Sequence, residues 1–188
     1  MEFLKLKKPK IAVVELYGAI GPSIKSRTYA PLFKALREEK QVRAVVLDID
    51  SPGGGASDSD YLYESIQAVK EQKPVVAFIR ATGASGGYFL ACAAQRIVAQ
   101  RSSVVGSIGV LSVRPQAEEL LQKIGVRVNL SATGPFKGMG FPFRAESEEE
   151  RRKIESFINA FFEHFIDVVA EGRRTSRDRV REWATGEV

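Results

Sequence analysis

The stretch Ala44-Val-Val-Leu-Asp-Ile-Asp-Ser-Pro-Gly-Gly-Gly55 decides the architecture. Its first half, Ala44 to Ile49, is apolar except for Asp48. A short β-branched run without polar alternation reads as a strand covered on both faces, as in a parallel sheet. Its second half is a glycine turn. A helix is expected after it, from about Asp58 to Glu71, with Ser57 as its cap and Asp60 in its first turn.

The same alternation extends both ways. Upstream, Ile11 to Leu16 reads as a strand and Ser26 to Lys40 as a helix, with Tyr29, Leu32, Phe33 and Leu36 on one face. Downstream, Pro74 opens a strand, Val75 to Ile79. A second glycine turn, Ala81-Thr-Gly-Ala-Ser-Gly-Gly87, then leads into a short apolar helix ending near Ala94. Ile97 to Ala99, Gly109 to Val113 and Val126 to Leu130 are further strand candidates, with a helix from Pro115 to Ile124 between the last two. A long helix is expected from Ser147 to Gly172, with Ile154, Phe157, Ile158, Phe161, Phe162, Phe165, Ile166 and Val169 at helical spacing. Thr175 reads as the cap of a last short helix. The pattern is that of an α/β chain with a mostly parallel sheet.

At 188 residues, one domain spanning 1–188 is expected, preceded by a basic segment over 1–10. The net charge is +5, with clusters at Lys5 to Lys10 and Arg173 to Arg181. No aromatic residues interleave with a basic stripe, which argues against nucleic acid. The basic clusters leave room for peripheral attraction to an anionic membrane face. No run is apolar enough to span a bilayer and no secretory leader is visible, so the compartment stays open. One cysteine, Cys92, and one histidine, His164, argue against a zinc site, and no cofactor is expected.

Two glycine turns at the carboxyl ends of strands are where an open α/β sheet gathers ligands. Ser51-Pro-Gly-Gly-Gly55 can aim backbone N–H groups into a common space, or simply turn the chain into a helix. In Gly83-Ala-Ser-Gly-Gly87, Ser85 stands either as an exposed nucleophile beside the Gly86 N–H or as a helix cap. A serine nucleophile needs a proton acceptor. The G-x-S-x-G pattern suggests an α/β-hydrolase with a later acid and histidine. The sole histidine, however, lies inside the long phenylalanine-rich helix, and no aspartate falls between Ser85 and His164. A lysine can serve if burial lowers its pKa. Lys137, in Gly134-Pro-Phe-Lys-Gly-Met-Gly-Phe-Pro-Phe143, has the least polar local setting of any lysine here. It reads equally well as a surface loop residue.

Taken together, Asp50-Ser-Pro-Gly-Gly-Gly55, Gly83-Ala-Ser-Gly-Gly-Tyr-Phe-Leu-Ala91, Gly106-Ser-Ile-Gly-Val110 and Gly134-Pro-Phe-Lys-Gly-Met-Gly-Phe-Pro-Phe-Arg144 resemble the signal peptide peptidase A family of serine peptidases. That family has a Clp protease/crotonase-like fold, and the resemblance covers residues 11–185. It implies Ser85 as nucleophile, Lys137 as base and Ser107 as the residue that orients the lysine. It also implies an oxyanion hole drawn from Gly53, Gly54 and Gly86. The implied activity is endopeptidase cleavage of hydrophobic peptides such as remnant signal peptides. The implied assembly is a homo-oligomer, with serine and lysine meeting across subunit contacts. Family members usually carry an N-terminal membrane anchor and continue past Val188 with a further strand and helix. Rival expectations are an acyl-CoA enzyme of the crotonase type and a non-catalytic assembly module on the same fold.

Overall fold

A computed structural model describes residues 8–188. Lys5 and Lys7 of the first basic cluster lie outside the described residues. The chain divides into two compact units. One comprises the described residues up to Gly109 together with His164–Val188, and the other is Val110–Glu163.

The first unit is built on parallel strands β1 (Lys10–Tyr17), β2 (Val42–Ser51), β3 (Val75–Ala84) and β4 (Arg96–Ala99), in the order β1-β2-β3-β4. A short strand, β5 (Val104–Gly106), pairs with the carboxyl end of β3. Helices α1 (Ser26–Glu38), α2 (Ala56–Lys70) and α3 (Gly86–Cys92) connect the strands and pack on the sheet. The core is the sheet face they cover: Val14, Leu16, Val45, Leu47, Ile49, Val75, Ala77 and Ile79 are buried against Phe33, Leu62, Ile66, Val69 and Leu90. Alternate residues of the edge strand, Ile11 and Val13, stay exposed, as the two-residue period of a strand requires. Across the sheet, Tyr17 Oη donates to Asp48 Oδ2 at 2.7 Å and Arg80 Nη2 donates to the same oxygen at 2.5 Å. Asp48, the charge inside the buried strand, is thereby paired as burial demands.

Helix α4 is Glu118–Lys123, α5 is Glu148–Arg173 and α6 is Arg177–Trp183. Within the first unit, the end of α5 buries Phe165, Ile166, Val168 and Val169. Gly172 permits close packing on α3, because a Cβ there would lie 2.5 Å from the Cys92 carbonyl oxygen.

Several sequence expectations are corrected. Gly109–Val113 and Val126–Leu130 are not strands. Their residues have no ladder partner among the described residues, and Leu111, Val113 and Val128 stand exposed. Strand preference expresses packing against neighbours more than the backbone itself. Helix α2 starts earlier than expected, with Gly55 at its cap, so Ser57 lies inside it. Asp58 occupies its first turn and accepts the N–H of Ser26 at 3.3 Å, tying the start of α1 to the start of α2. Ser176, not Thr175, caps α6, its Oγ accepting the Arg179 N–H. Leu32 points outward, and α1 buries Phe33 instead.

Candidate active site

The two glycine turns meet. The first leaves β2 at Ser51 and is clamped by the loop before α1. The Ile20 N–H donates to Gly53 O at 2.8 Å, and the Gly55 N–H donates to Ile20 O at 3.0 Å. Gly53 (φ +97°) and Gly54 (φ +154°) take conformations that a side chain would oppose. The Gly53 N–H donates to the buried Ser51 Oγ at 3.1 Å. The second turn ends β3 at Ala84, passes through Ser85 and starts α3 at Gly86.

Ser85 adopts φ +49°, ψ −121°. A non-glycine residue stays in that region only where its surroundings hold it there. Two bonds do so: the Ser85 N–H donates to Gly106 O at 2.8 Å, and the Phe89 N–H donates to Ser85 O at 2.9 Å. The side chain does not cap α3. The cap reading of this serine is therefore overturned. The backbone is strained, and the hydroxyl makes no capping bond to the helix it precedes. Gly86, as the first residue of α3, has no helical acceptor for its N–H.

Contact between the turns is close. A Cβ on Gly53 would lie 2.6 Å from the Gly86 nitrogen and 2.8 Å from Ser85 Cβ. A Cβ on Gly86 would lie 2.6 Å from Ser59 Oγ and 3.0 Å from Ile20 Cδ1. Ser59 is itself fixed, its hydroxyl donating to Gly55 O at 2.9 Å. Ser85, Gly86, Gly53 and Gly54 thus form one constellation within the first unit.

Ser107 follows the same strand edge. It is the next residue after Gly106, whose carbonyl holds Ser85, and it too has a positive φ, +51°. Its N–H donates to Glu187 O at 2.6 Å. Of the three non-glycine residues with positive φ among those described, two are Ser85 and Ser107.

Lys137 belongs to the second unit. It sits in a run of tight turns, in which Gly134 O accepts the Lys137 N–H at 3.2 Å, Phe136 O the Met139 N–H at 3.1 Å and Gly138 O the Phe141 N–H at 3.2 Å. The expected apolar burial of this lysine is absent from the chain as described. Lys137 is exposed, and Phe136, Phe141 and Phe143 around it are each more than a third exposed. The loop buries Gly138 and leaves its side chains outward.

Two other groups could compete for the chemistry. His164 Nε2 is 2.7 Å from Asp60 Oδ1, and the His164 ring packs edge-on against Phe89, at 5.6 Å between centroids. The pairing engages this ring nitrogen with a carboxylate and ties α5 to α2. The sequence did not reveal it, because the partners stand 104 positions apart and the aspartate precedes the serine. Cys92 is fully buried, and burial pushes its thiol up to about 12, which leaves no thiolate to attack. Among the described residues no group of three or more His, Cys, Asp or Glu could hold a metal ion, and no helix is long and apolar enough to cross a membrane.

Comparison with known proteins gives the family and the fold. The family model for peptidase family S49 matches residues 67–188, and the Clp protease model matches residues 7–124. The chain is 34% identical over 183 residues to the Synechocystis protein named "Putative protease slr0021", covering 96% of this chain and 65% of the relative. It is 32% identical over 192 residues to the chloroplastic serine protease SPPA of Arabidopsis thaliana, covering 96% of this chain and 28% of that protein. It therefore spans less than two thirds of the length of these relatives. Among solved structures, a point mutant of ClpP1 from Listeria monocytogenes superposes with a TM-score of 0.58 at 15% identity, over 90% of this chain and 77% of the other. The Clp protease-like fold expected from the sequence is the fold observed, and the chain belongs to peptidase family S49.

Proposed function

We propose that the protein is a serine endopeptidase working with a Ser85–Lys137 dyad on hydrophobic peptides such as remnant signal peptides. The observation that carries this reading is the backbone of Ser85. A serine held at φ +49° at the head of a helix, without a capping bond from its side chain, is the strained strand-to-helix turn that a nucleophile occupies.

Neutral Lys137 Nζ takes the proton from Ser85 Oγ as that oxygen bonds to the scissile carbonyl carbon. The carbonyl π pair moves onto oxygen, forming the oxyanion. The Gly53 N–H is already spent on Ser51 Oγ, so the Gly54 and Gly86 N–H groups are the donors that receive the oxyanion. Collapse of the intermediate breaks the C–N bond, and the protonated lysine gives its proton to the leaving amine. Water then attacks the acyl-enzyme by the same route, returning the proton to Ser85. Ser107 accepts a hydrogen bond from the amine and orients it.

Removal from water is what turns a lysine into a base. Assembly into a homo-oligomer supplies the cover that the single chain lacks around Lys137, and brings serine and lysine together across a subunit contact. The rival acyl-CoA chemistry has no use for a strained serine.

The test is labelling with a fluorophosphonate, followed by peptide mapping, alongside hydrolysis of a leucine-rich peptide. Label on Ser85, with labelling and hydrolysis both lost in Lys137→Ala, is the expected result. Coenzyme A thioester turnover without peptide cleavage or Ser85 labelling would overturn the proposal.

A further inference from the structure

Among the described residues, the second unit buries one carboxylate, Glu150, which is 3% exposed. A buried carboxylate must be paired. Arg144 supplies both guanidinium ends: Nη1 donates to Glu150 Oε2 at 2.8 Å and Nη2 donates to Oε1. Ser147 completes the set in a reciprocal capping box at the start of α5. Its N–H donates to Glu150 Oε2 at 3.0 Å, and its Oγ accepts the Glu150 N–H at 3.2 Å. These contacts, the Arg144 pairing first, push the Glu150 carboxyl down to about 2, so the pair stays ionised at neutral pH.

Starting a helix needs only the Ser147–Glu150 box. Arg144 does more. Its Nη2 also donates to Gly138 O at 2.9 Å, the carbonyl that closes the Phe141 turn. Gly138 is buried and directly follows Lys137. A Cβ on Gly138 would lie 2.3 Å from Leu130 Cδ2 but only in ordinary contact, 3.4 Å, with Arg144 Nη2, so it is Leu130 that the glycine accommodates. The planar fork can grip a carboxylate and a carbonyl at once, which an ammonium cannot. The peptide next to the lysine is thereby fastened to the first turn of a 26-residue helix.

We propose that Arg144, held by Glu150, is a positioning residue for Lys137: it fixes the base of the lysine side chain to the rigid start of α5. This rests on the Ser85–Lys137 reading above. An exposed lysine on a loop of tight turns has many rotamers to lose, and a fixed stem reduces the number it must search.

The test uses the full chain with Arg144→Lys, Glu150→Gln, Lys137→Ala and the control Glu146→Gln, which breaks the Arg114–Glu146 pair of the same unit without touching the lysine loop. Peptide hydrolysis is followed against pH, and amide hydrogen exchange is read over residues 134–141. Arg144→Lys and Glu150→Gln are expected to lower kcat roughly 10- to 100-fold while KM stays within about twofold. The acid limb of the kcat profile should move to higher pH, and exchange at 134–141 should quicken while the β-sheet is unchanged. Glu146→Gln should keep the wild-type kcat. Arg144→Lys retains the charge and carries the test if Glu150→Gln does not fold. Faster exchange with unchanged kcat and acid limb, or an equal loss in Glu146→Gln, overturns the positioning role. An active Lys137→Ala instead overturns the dyad itself.

Discussion

Gly53 presses its α-carbon against the backbone of Gly86, so close that a methyl group on Gly53 would lie 2.6 Å from the Gly86 nitrogen. One turn belongs to the end of β2 and the other to the end of β3, and the contact locks the Gly86 N–H beside Ser85. Gly53→Ala forces these turns apart and also places a side chain at φ +97°. It is expected to lower kcat at least about 100-fold, the usual cost of losing one oxyanion donor. Steady-state hydrolysis of a hydrophobic peptide checks this, with circular dichroism to show that the sheet survives.

Ser85 carries strain that glycine would release. Ser85→Gly should abolish hydrolysis yet raise stability by about 1 kcal/mol, the lower end of the cost of a sparsely populated backbone conformation. Ser85→Ala should abolish hydrolysis without that gain. Chemical denaturation of the two variants side by side decides it. Equal stability would mean that the turn is not strained.

Gly172 reverses the ordinary rule for helices. Alanine normally stabilises a helix interior relative to glycine. Here its methyl would meet Cys92 O at 2.5 Å and Cys92 Cβ at 2.8 Å, both in the buried α3 that follows Ser85. Gly172→Ala should cost about 1–3 kcal/mol, as overpacking does, measured as a lower denaturant midpoint.

Glu150 makes a pH signature. Its carboxyl is depressed to about 2 from an ordinary value of 4.5, so its stabilisation is present above the higher value and is lost as pH falls through the lower. The stability gap between wild type and Glu150→Gln should hold steady from neutral pH down to about 5 and close between about 4.5 and 2. Denaturant titrations at stepped pH read it directly.

Strands β1, β2 and β3, helices α1, α2, α3 and α5, and both glycine turns are legible in the sequence because buried parallel strands and amphipathic helices write their periods into the chain. Strand β5 escapes it, since three residues carry no period. Val126–Leu130 reads as a strand because alternation records preference, and a ladder needs a partner that the described residues do not provide. The strain at Ser85 and Ser107 is invisible in the sequence, for φ is set by the bonds that hold a residue: Gly106 O for one, Glu187 O for the other. The pairing of His164 with Asp60 and the grip of Arg144 on Gly138 O join residues that local pattern cannot relate. The exposure of Lys137 is hidden too, because apolar neighbours along the chain do not by themselves make apolar surroundings in space.

Assembly makes its own prediction. Ser85→Ala and Lys137→Ala are each expected to be inactive alone. Mixed under conditions that exchange subunits, they should regain part of the wild-type rate, because some contacts then pair an intact serine with an intact lysine. Hydrolysis before and after mixing, with the solution mass measured in parallel, checks this. No recovery from a verified mixed oligomer would place the dyad within one subunit.

The most direct measurement compares Lys137→Ala with His164→Ala in peptide hydrolysis and Ser85 labelling, at matched stability. The Ser85–Lys137 dyad predicts that Lys137→Ala loses both while His164→Ala keeps both. Activity that survives Lys137→Ala and disappears in His164→Ala would contradict it and make the Asp60–His164 pair the catalytic base.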